Sequence, residues 1–266
     1  MEMLKFSPAN AKLQDLYNTD IGQQWCGDGR KIYLFNIPSG HTCPGAQDCL
    51  ARVKLDDSGK RYIEHGKDQK YVCFMGTLEN AFTSFYRLTQ GNLSTLKPLK
   101  STRSIVDHLE FYLPSDAGIV RVHGGGDFYN EKYFLAWLEL AKNHPDVLFY
   151  AYTKSIPFWV KHRKIVKTLD NLVINASYGG RYDKMIGRYK LPHARVIFHP
   201  DKSKGYPVDH TDECAADPDV HRFCLLIHGK QRKGSEASLA LKRLKNEEVK
   251  FSYSNKPLSP KALSAV

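Results

Sequence analysis

The sequence has no run near the roughly 18 successive apolar residues that a bilayer crossing requires. Met1 to Lys12 also lacks the basic start and apolar stretch of a secretory signal. Both absences predict a cytoplasmic chain with no membrane partner. Cysteine is scarce as well. Six in 266 residues are too few for a disulfide scaffold, so a reducing compartment leaves them as thiols or metal ligands, and their spacing carries the information. Acidic excess is missing too, because 39 Lys and Arg against 28 Asp and Glu leave a formal charge of +11. Such a surface attracts polyanions, so nucleic acid and an unidentified acidic small molecule are both candidate partners. What is present is ordinary for a folded chain: 42% hydrophobic, 25% charged and 12% aromatic residues, which excludes disorder and collagen. No composition break forces a cut, and residues 1–266 read as a single α/β domain.

Periodicity divides that domain. Residues 1–100 read as an irregular N-terminal segment bearing the cysteines, and residues 101–255 as βα repeats. Within the first part, a strand candidate from Lys31 to Ile37 runs into the turn-formers Pro38, Gly40, Pro44 and Gly45. The polar stretch Asp56 to Gln69 reads as a hairpin tip, after which Lys70 to Cys73 resumes an extended pattern. From Ser101 onward, helices are expected at Ser104–Leu113, from Asn130, at Phe158–Lys167, at Asp183–Tyr189 and at Ser235–Leu244. The second of these places Phe134, Trp137, Leu138 and Ala141 on one face. Between and beyond them lie apolar runs at Gly118–Val122, Val147–Tyr152, Asn171–Ala176, Ala194–Phe198, Phe223–Ile227 and Val249–Tyr253. Strands alternating with helices imply right-handed βαβ units, hence a mostly parallel sheet forming an open or partial (β/α) barrel.

Parallel α/β folds place their chemistry at the carboxyl ends of the strands. The first of the six strands ends in His123-Gly124-Gly125-Gly126-Asp127, the second in Thr153-Lys154, the third in Ser177, the fourth in His199 and the fifth in His228-Gly229. Three glycines without Cβ atoms let backbone approach a ligand and turn N–H groups toward an anion or carboxylate, although a tight turn alone needs glycine equally. Asp127 is placed either to meet a ligand or to cap the helix that begins near Asn130. Lys154 suits an anionic substrate or a solvated surface. His210 and His228 are ligand or acid–base candidates, with a hydrogen-bonded structural histidine as the alternative.

Two of the cysteines, Cys43 and Cys49, share a turn-rich loop, and Cys73 follows an extended segment. Thiolates from two such loops suit an iron–sulfur cluster or zinc, and buried apolar thiols are the competing reading. His41 is the nearest candidate to complete a tetrahedral zinc. Cys224 lies inside an apolar run and reads as core, whereas Cys26 and Cys214 read as lying in polar loops and receive no role. A zinc hydrolase built on Asp209, His210, Asp212 and Glu213 competes with a plain acidic surface loop. The basic clusters Lys161 to Lys164, Lys230 to Lys233 and Lys242 to Lys245 fit nucleic acid or solvated helix faces.

At many of these residues the chain resembles the phage-encoded family named gene product eighty-eight. The matching blocks are Asn10 to Leu13, Gly40 to Ala46, the Cys73 region, His123 with Gly125 to Phe128, Tyr150 to Ser155, Gly179 to Asp183, Asp209-His210, Leu226 to Gly229 and Gly234 to Ala237. That family is similar to radical S-adenosylmethionine barrels. The resemblance implies a four-iron, four-sulfur (4Fe-4S) cluster on Cys43, Cys49 and Cys73, and a setting in the cytoplasm of an infected bacterium. It implies no particular reaction, so a cluster enzyme and a non-enzymatic cluster or nucleic-acid-binding protein both stay open. Gly125-Gly126-Asp127 is similar to the Gly-Gly-acid turn with which those enzymes hold the cofactor's amino group, which implies S-adenosylmethionine at Gly124 to Asp127. The compact CxxxCxxC loop of those enzymes is replaced here by a C-x5-C pair and a distant Cys73.

Overall fold

Alternating hydrophobic faces dominate the computed structural model, which describes residues 3–250. In chain order its elements begin with β1 (Phe6–Pro8), α1 (Ala11–Leu16), α2 (Asp20–Cys26), β2 (Lys31–Phe35), β3 (Ala51–Leu55) and β4 (Arg61–His65). Then come α3 (Phe74–Ala81), α4 (Thr83–Leu96), α5 (Thr102–Tyr112), β5 (Ala117–Val122), α6 (Glu131–Asn143), β6 (Leu148–Thr153) and α7 (Ile156–Val166). The series closes with β7 (Leu172–Ser177), α8 (Asp183–Tyr189), β8 (His193–Ile197), α9 (Glu213–Ala216), β9 (Arg222–Leu226) and α10 (Glu236–Asn246).

Seven strands form one sheet in the order β1-β2-β5-β6-β7-β8-β9, and β3 pairs with β4 in a separate hairpin. Only β1 runs antiparallel within the large sheet; β2 and the five strands after it are parallel neighbours in sequence order. Such an order never reverses, and the crossovers carry α5, α6, α7 and α8 to one face, whereas α9 lies on the other. With no reversal there is no switch-point crevice, which leaves the carboxyl ends of the strands as the natural ligand site.

Period-2 alternation then sorts the side chains. Val120, Phe149, Ala151 and Ile174 face an outer core with Ile105, Val106 and Leu109 of α5 and Phe134, Trp137 and Leu138 of α6. Their neighbours Ile119, Leu148, Tyr150 and Val173 face an inner core filled by Leu13 and Leu16 of α1, Cys26 of α2 and the small pair Ala215-Ala216 of α9. Burial on both faces is why β5, β6 and β7 read as continuous apolar runs.

A mostly parallel α/β sheet agrees with the sequence reading, but residues 1–100 are not irregular. They contain four strands and four helices, and β1 and β2 extend the main sheet. Short elements explain the weak signal: β1 has three residues and ends in Pro8, and neither α3 nor α4 has a side-chain N-cap. Lys70 to Cys73 forms no strand; the Lys70 and Tyr71 N–H groups instead donate to the Asp48 carbonyl at 2.8 and 3.0 Å. Of the expected strand Val249–Tyr253, Val249 and Lys250 are not in a strand and the rest lies outside the described residues.

The inner face holds a polar knot. The Asp212 carboxylate, fully buried, accepts from Arg121 Nη1 on β5 at 2.5 Å and from the Tyr150 and Tyr152 hydroxyls on β6 at 2.9 and 3.3 Å. Asp212 stands at the N-cap position of α9 with φ +69°, a left-handed conformation that aspartate tolerates better than most residues. The Asp209 side chain accepts from the N–H groups of Thr211 and Asp212, which tightens the turn leading into the helix. The acidic loop read as surface is therefore largely interior, and it fastens α9 to the sheet.

Candidate functional site

Beyond Phe35 the chain leaves β2 and folds back across the strand ends. Buried Asn36 accepts from the Gly125 N–H at 2.9 Å, and the Ile37 N–H donates to the Gly125 carbonyl at 3.0 Å. Further on, the Asp48 N–H donates to the Gly179 carbonyl and the Arg181 N–H to the Gly45 carbonyl, both at 2.9 Å. Gly45 has no alternative, since a Cβ there would stand 2.1 Å from the Lys154 carbonyl oxygen. The loop carrying Cys43 and Cys49 is thus sewn to the ends of β5, β6 and β7. Cys73 reaches the same region as the N-cap residue of α3, where the N–H groups of Met75 and Gly76 stabilise its thiolate.

The charge of Cys73 bears on both Cys43 and Cys49, and that of Cys49 on Cys43. Burial pushes the Cys43 thiol well up, and the charges of Asp127, Cys73 and Cys49 push it further. Burial brings Cys49 up to about 11, with Lys154 pulling it down and Cys73 and Asp127 raising it. Cys73 is raised by burial first, then by Glu79, against its backbone and Ser39 hydrogen bonds. The other cysteines lie elsewhere: Cys26 is the last residue of α2 within the inner core, Cys214 is in α9, and Cys224 is buried on β9 as expected. Neither Cys26 nor Cys214 is in a loop. The His41 Nε2 lies 2.9 Å from the Val53 carbonyl oxygen, which leaves Nδ1 as its one ring nitrogen for a metal. Among the described residues, no three His, Cys, Asp or Glu side chains form a group that could hold a metal ion. A single tetrahedral ion needs its donors to meet at one point, whereas a cluster spreads its thiolates over several irons.

The glycine turn has an internal explanation. A Cβ on Gly124 would meet Asn36 Oδ1 at 2.5 Å, one on Gly125 would meet Met75 and Ser39 at 3.1 Å, and one on Gly126, with φ +92°, would meet Ile37 at 2.3 Å. The close approach that these glycines permit is therefore made by the β2 loop and α3. Asp127 is buried and accepts from the Phe128 N–H at 2.7 Å, the Thr153 hydroxyl at 2.6 Å and the Lys154 N–H at 2.8 Å. Burial raises its pKa to about 6 against those hydrogen bonds. Asp127 does not cap α6; the Asn130 side chain does, accepting from the Tyr133 N–H.

Lys154 is buried, not solvated. Its ammonium donates to the Ser177 hydroxyl and carbonyl at 2.8 and 2.9 Å and to the Tyr178 carbonyl at 2.5 Å, which joins β6 to β7. His228 packs its ring 4.6 Å from Phe74, next to Cys73, while Nδ1 lies 2.9 Å from the Leu226 carbonyl oxygen. His210 lies in the connection that feeds α9. The expected basic clusters are partly neutralised, since Lys161 and His162 both meet Glu131 and Arg243 meets Glu247.

Sequence reasoning missed Glu79, on α3. It is fully buried; Oε1 accepts from the Ser39 N–H at 2.8 Å, and Oε2 has no hydrogen-bond partner. Only recognition of the uncapped helix after Cys73 could have placed it. Burial raises its pKa to about 7 while Ser39 lowers it. Because the folded value exceeds the unfolded 4.5, the stability that the protonated carboxyl contributes is complete below pH 4.5 and is lost as pH rises through about 7. Glu79→Gln should therefore stabilise the metal-free chain at pH 8 by at most ~3 kcal/mol and reduce the fall in stability between pH 5 and 8. Urea midpoints measured across that range check it; equal slopes in variant and wild type would refute it.

No curated protein and no solved structure matches the chain. The model of the family Gene product 88 matches residues 4–247, a span that takes in the whole sheet, the three thiols and the glycine turn, so the chain belongs to the Gene product 88 family.

Proposed function

We propose that the chain holds a 4Fe-4S cluster through Cys43, Cys49 and Cys73 at the carboxyl end of a partial (β/α) barrel, as an iron–sulfur enzyme acting on a small molecule in the cytoplasm of an infected bacterium. What carries this reading is that the loop bearing Cys43 and Cys49 is hydrogen-bonded to the strand ends and that Cys73, at the start of α3, lies close enough for its charge to bear on both, with the other three cysteines placed elsewhere. Held by three thiolates, such a cluster supplies one-electron chemistry and one iron without a cysteine ligand. The protein's part is to receive it. Metal binding requires the thiolate form, which burial disfavours here, so proton release accompanies loading and acid weakens it. Lys154 favours the Cys49 thiolate, and the N–H groups at the start of α3 favour that of Cys73.

S-adenosylmethionine fits less well. The residues similar to its amino-group cradle have other work: Asp127 accepts three internal hydrogen bonds, and Gly124 to Gly126 press against Asn36, Ile37 and Met75. Anaerobic reconstitution with ferrous iron and sulfide, followed by metal analysis and electron paramagnetic resonance, tests the proposal. About four iron and four sulfide per chain, with a signal on reduction, is the expected result. Zinc without iron would overturn the cluster, and a spectrum altered by S-adenosylmethionine would restore that cofactor.

A further inference from the structure

The outer face of the sheet is incompletely covered over β8. Helices α6, α7 and α8 follow β5, β6 and β7, but the β8–β9 connection sends α9 against β6, β7 and α2. A cleft of about 910 Å³ lies between the start of α8 and the face of α10, with β8 residues in its wall. Its size falls within the usual range of small-molecule sites.

The charge in this cleft is uneven. Lys70, Arg195, Lys202, Lys204 and Arg243 line it, against Asp48, Asp183 and Glu236. Two of those carboxylates are already engaged: Asp48 meets Lys70 at 3.0 Å, and Asp183 accepts from the Gly179 and Gly180 N–H groups, both at 2.9 Å. Arg243 is likewise paired, with Glu247 at 2.7 Å and Asp201 at 3.5 Å. That leaves Arg195, Lys202 and Lys204, exposed and with no carboxylate at ion-pair distance among the described residues. The Arg195 guanidinium lies 4.2 Å over the Tyr178 ring, which fixes a planar donor fork suited to phosphate oxygens. Tyr71 and Phe198, edge to face at 6.3 Å, add an aromatic wall.

We propose that this cleft binds a nucleotide, its phosphates against Arg195, Lys202 and Lys204 and its base against Tyr71 and Phe198. Cations without partners favour a phosphorylated ligand, and aromatic rings beside them favour one carrying a planar base. Asp48, Lys70 and Tyr71 belong to the segments that carry Cys49 and Cys73, so the ligand lies beside the thiols. The inference does not rest on a cluster being there.

Calorimetric titration of the purified chain with ATP, inorganic triphosphate and adenosine tests it. ATP is expected to bind saturably at one site, more tightly than triphosphate, with adenosine weaker than either. Arg195→Ala and the double variant Lys202→Ala/Lys204→Ala should each weaken ATP about tenfold or more, with an unchanged thermal midpoint because all three side chains are at the surface. Absence of saturable ATP binding, or variants that bind ATP as wild type does, would overturn the site. Triphosphate binding as tightly as ATP would overturn the nucleotide assignment, as would strong preference for a single-stranded oligonucleotide.

Discussion

Replacing Cys43, Cys49 or Cys73 singly by alanine is expected to reduce reconstituted iron to the background of an unrelated protein, whereas Cys26→Ala and Cys214→Ala keep the full complement. The charge of Cys73 bears on Cys43 and Cys49, and deleting any one of the three thiols leaves an iron without its anionic ligand in a setting where burial already opposes charge. Cys26 packs in the inner core and Cys214 belongs to α9, on the face opposite the crossover helices. Metal analysis alone does not separate lost ligation from lost folding. The thermal midpoint of the metal-free variants makes that separation, because Cys→Ala removes a single heavy atom at each position. Full iron in any of the three variants would reject the ligand set, and loss of iron in Cys26→Ala at an unchanged midpoint would redirect it.

Legibility followed sequence distance. Helix α6 announces itself through Asn130, whose side chain caps it, and through the stripe from Phe134 to Ala141; α10 does so through Ser235, which accepts from the Ser238 N–H. Central strands buried on both faces stand out as apolar runs. The glycines were legible as a constraint, but its source was hidden, because Asn36, Ile37 and Met75 press on that turn from up to 89 residues away. For Lys154 the sequence offers an anionic substrate or solvent but not its actual partners, since its three acceptors belong to the next strand end. Asp212 was read as solvated for the same reason: Arg121 lies 91 residues before it. Local pattern shows what is apolar, and pairing across a sheet decides which polar groups become interior.

That pairing sets the largest stability effect expected here. Asp212→Ala should cost ~3–5 kcal/mol, the range for breaking a buried ion pair by removing one partner. The change strips Arg121, Tyr150 and Tyr152 of the carboxylate that they share in the inner core. Tyr150→Phe removes only one hydrogen bond to it and should cost ~1 kcal/mol. Urea unfolding reads both, as shifts in midpoint at constant slope. Asp212→Gly separates backbone from charge. Glycine relieves the left-handed φ of +69° yet deletes the carboxylate, so a chain limited by that strain would match wild type, whereas one fastened by the ion pair would lose nearly as much as with alanine. The second result is expected, because α9 is only four residues long and Asp212 is the point at which its start is tied to β5 and β6. Asp212→Asn keeps the shape and one acceptor oxygen, and aspartate and asparagine both accept the left-handed conformation. It should therefore fall between tyrosine removal and alanine, and a loss with Asn as large as with Ala would assign the whole effect to charge.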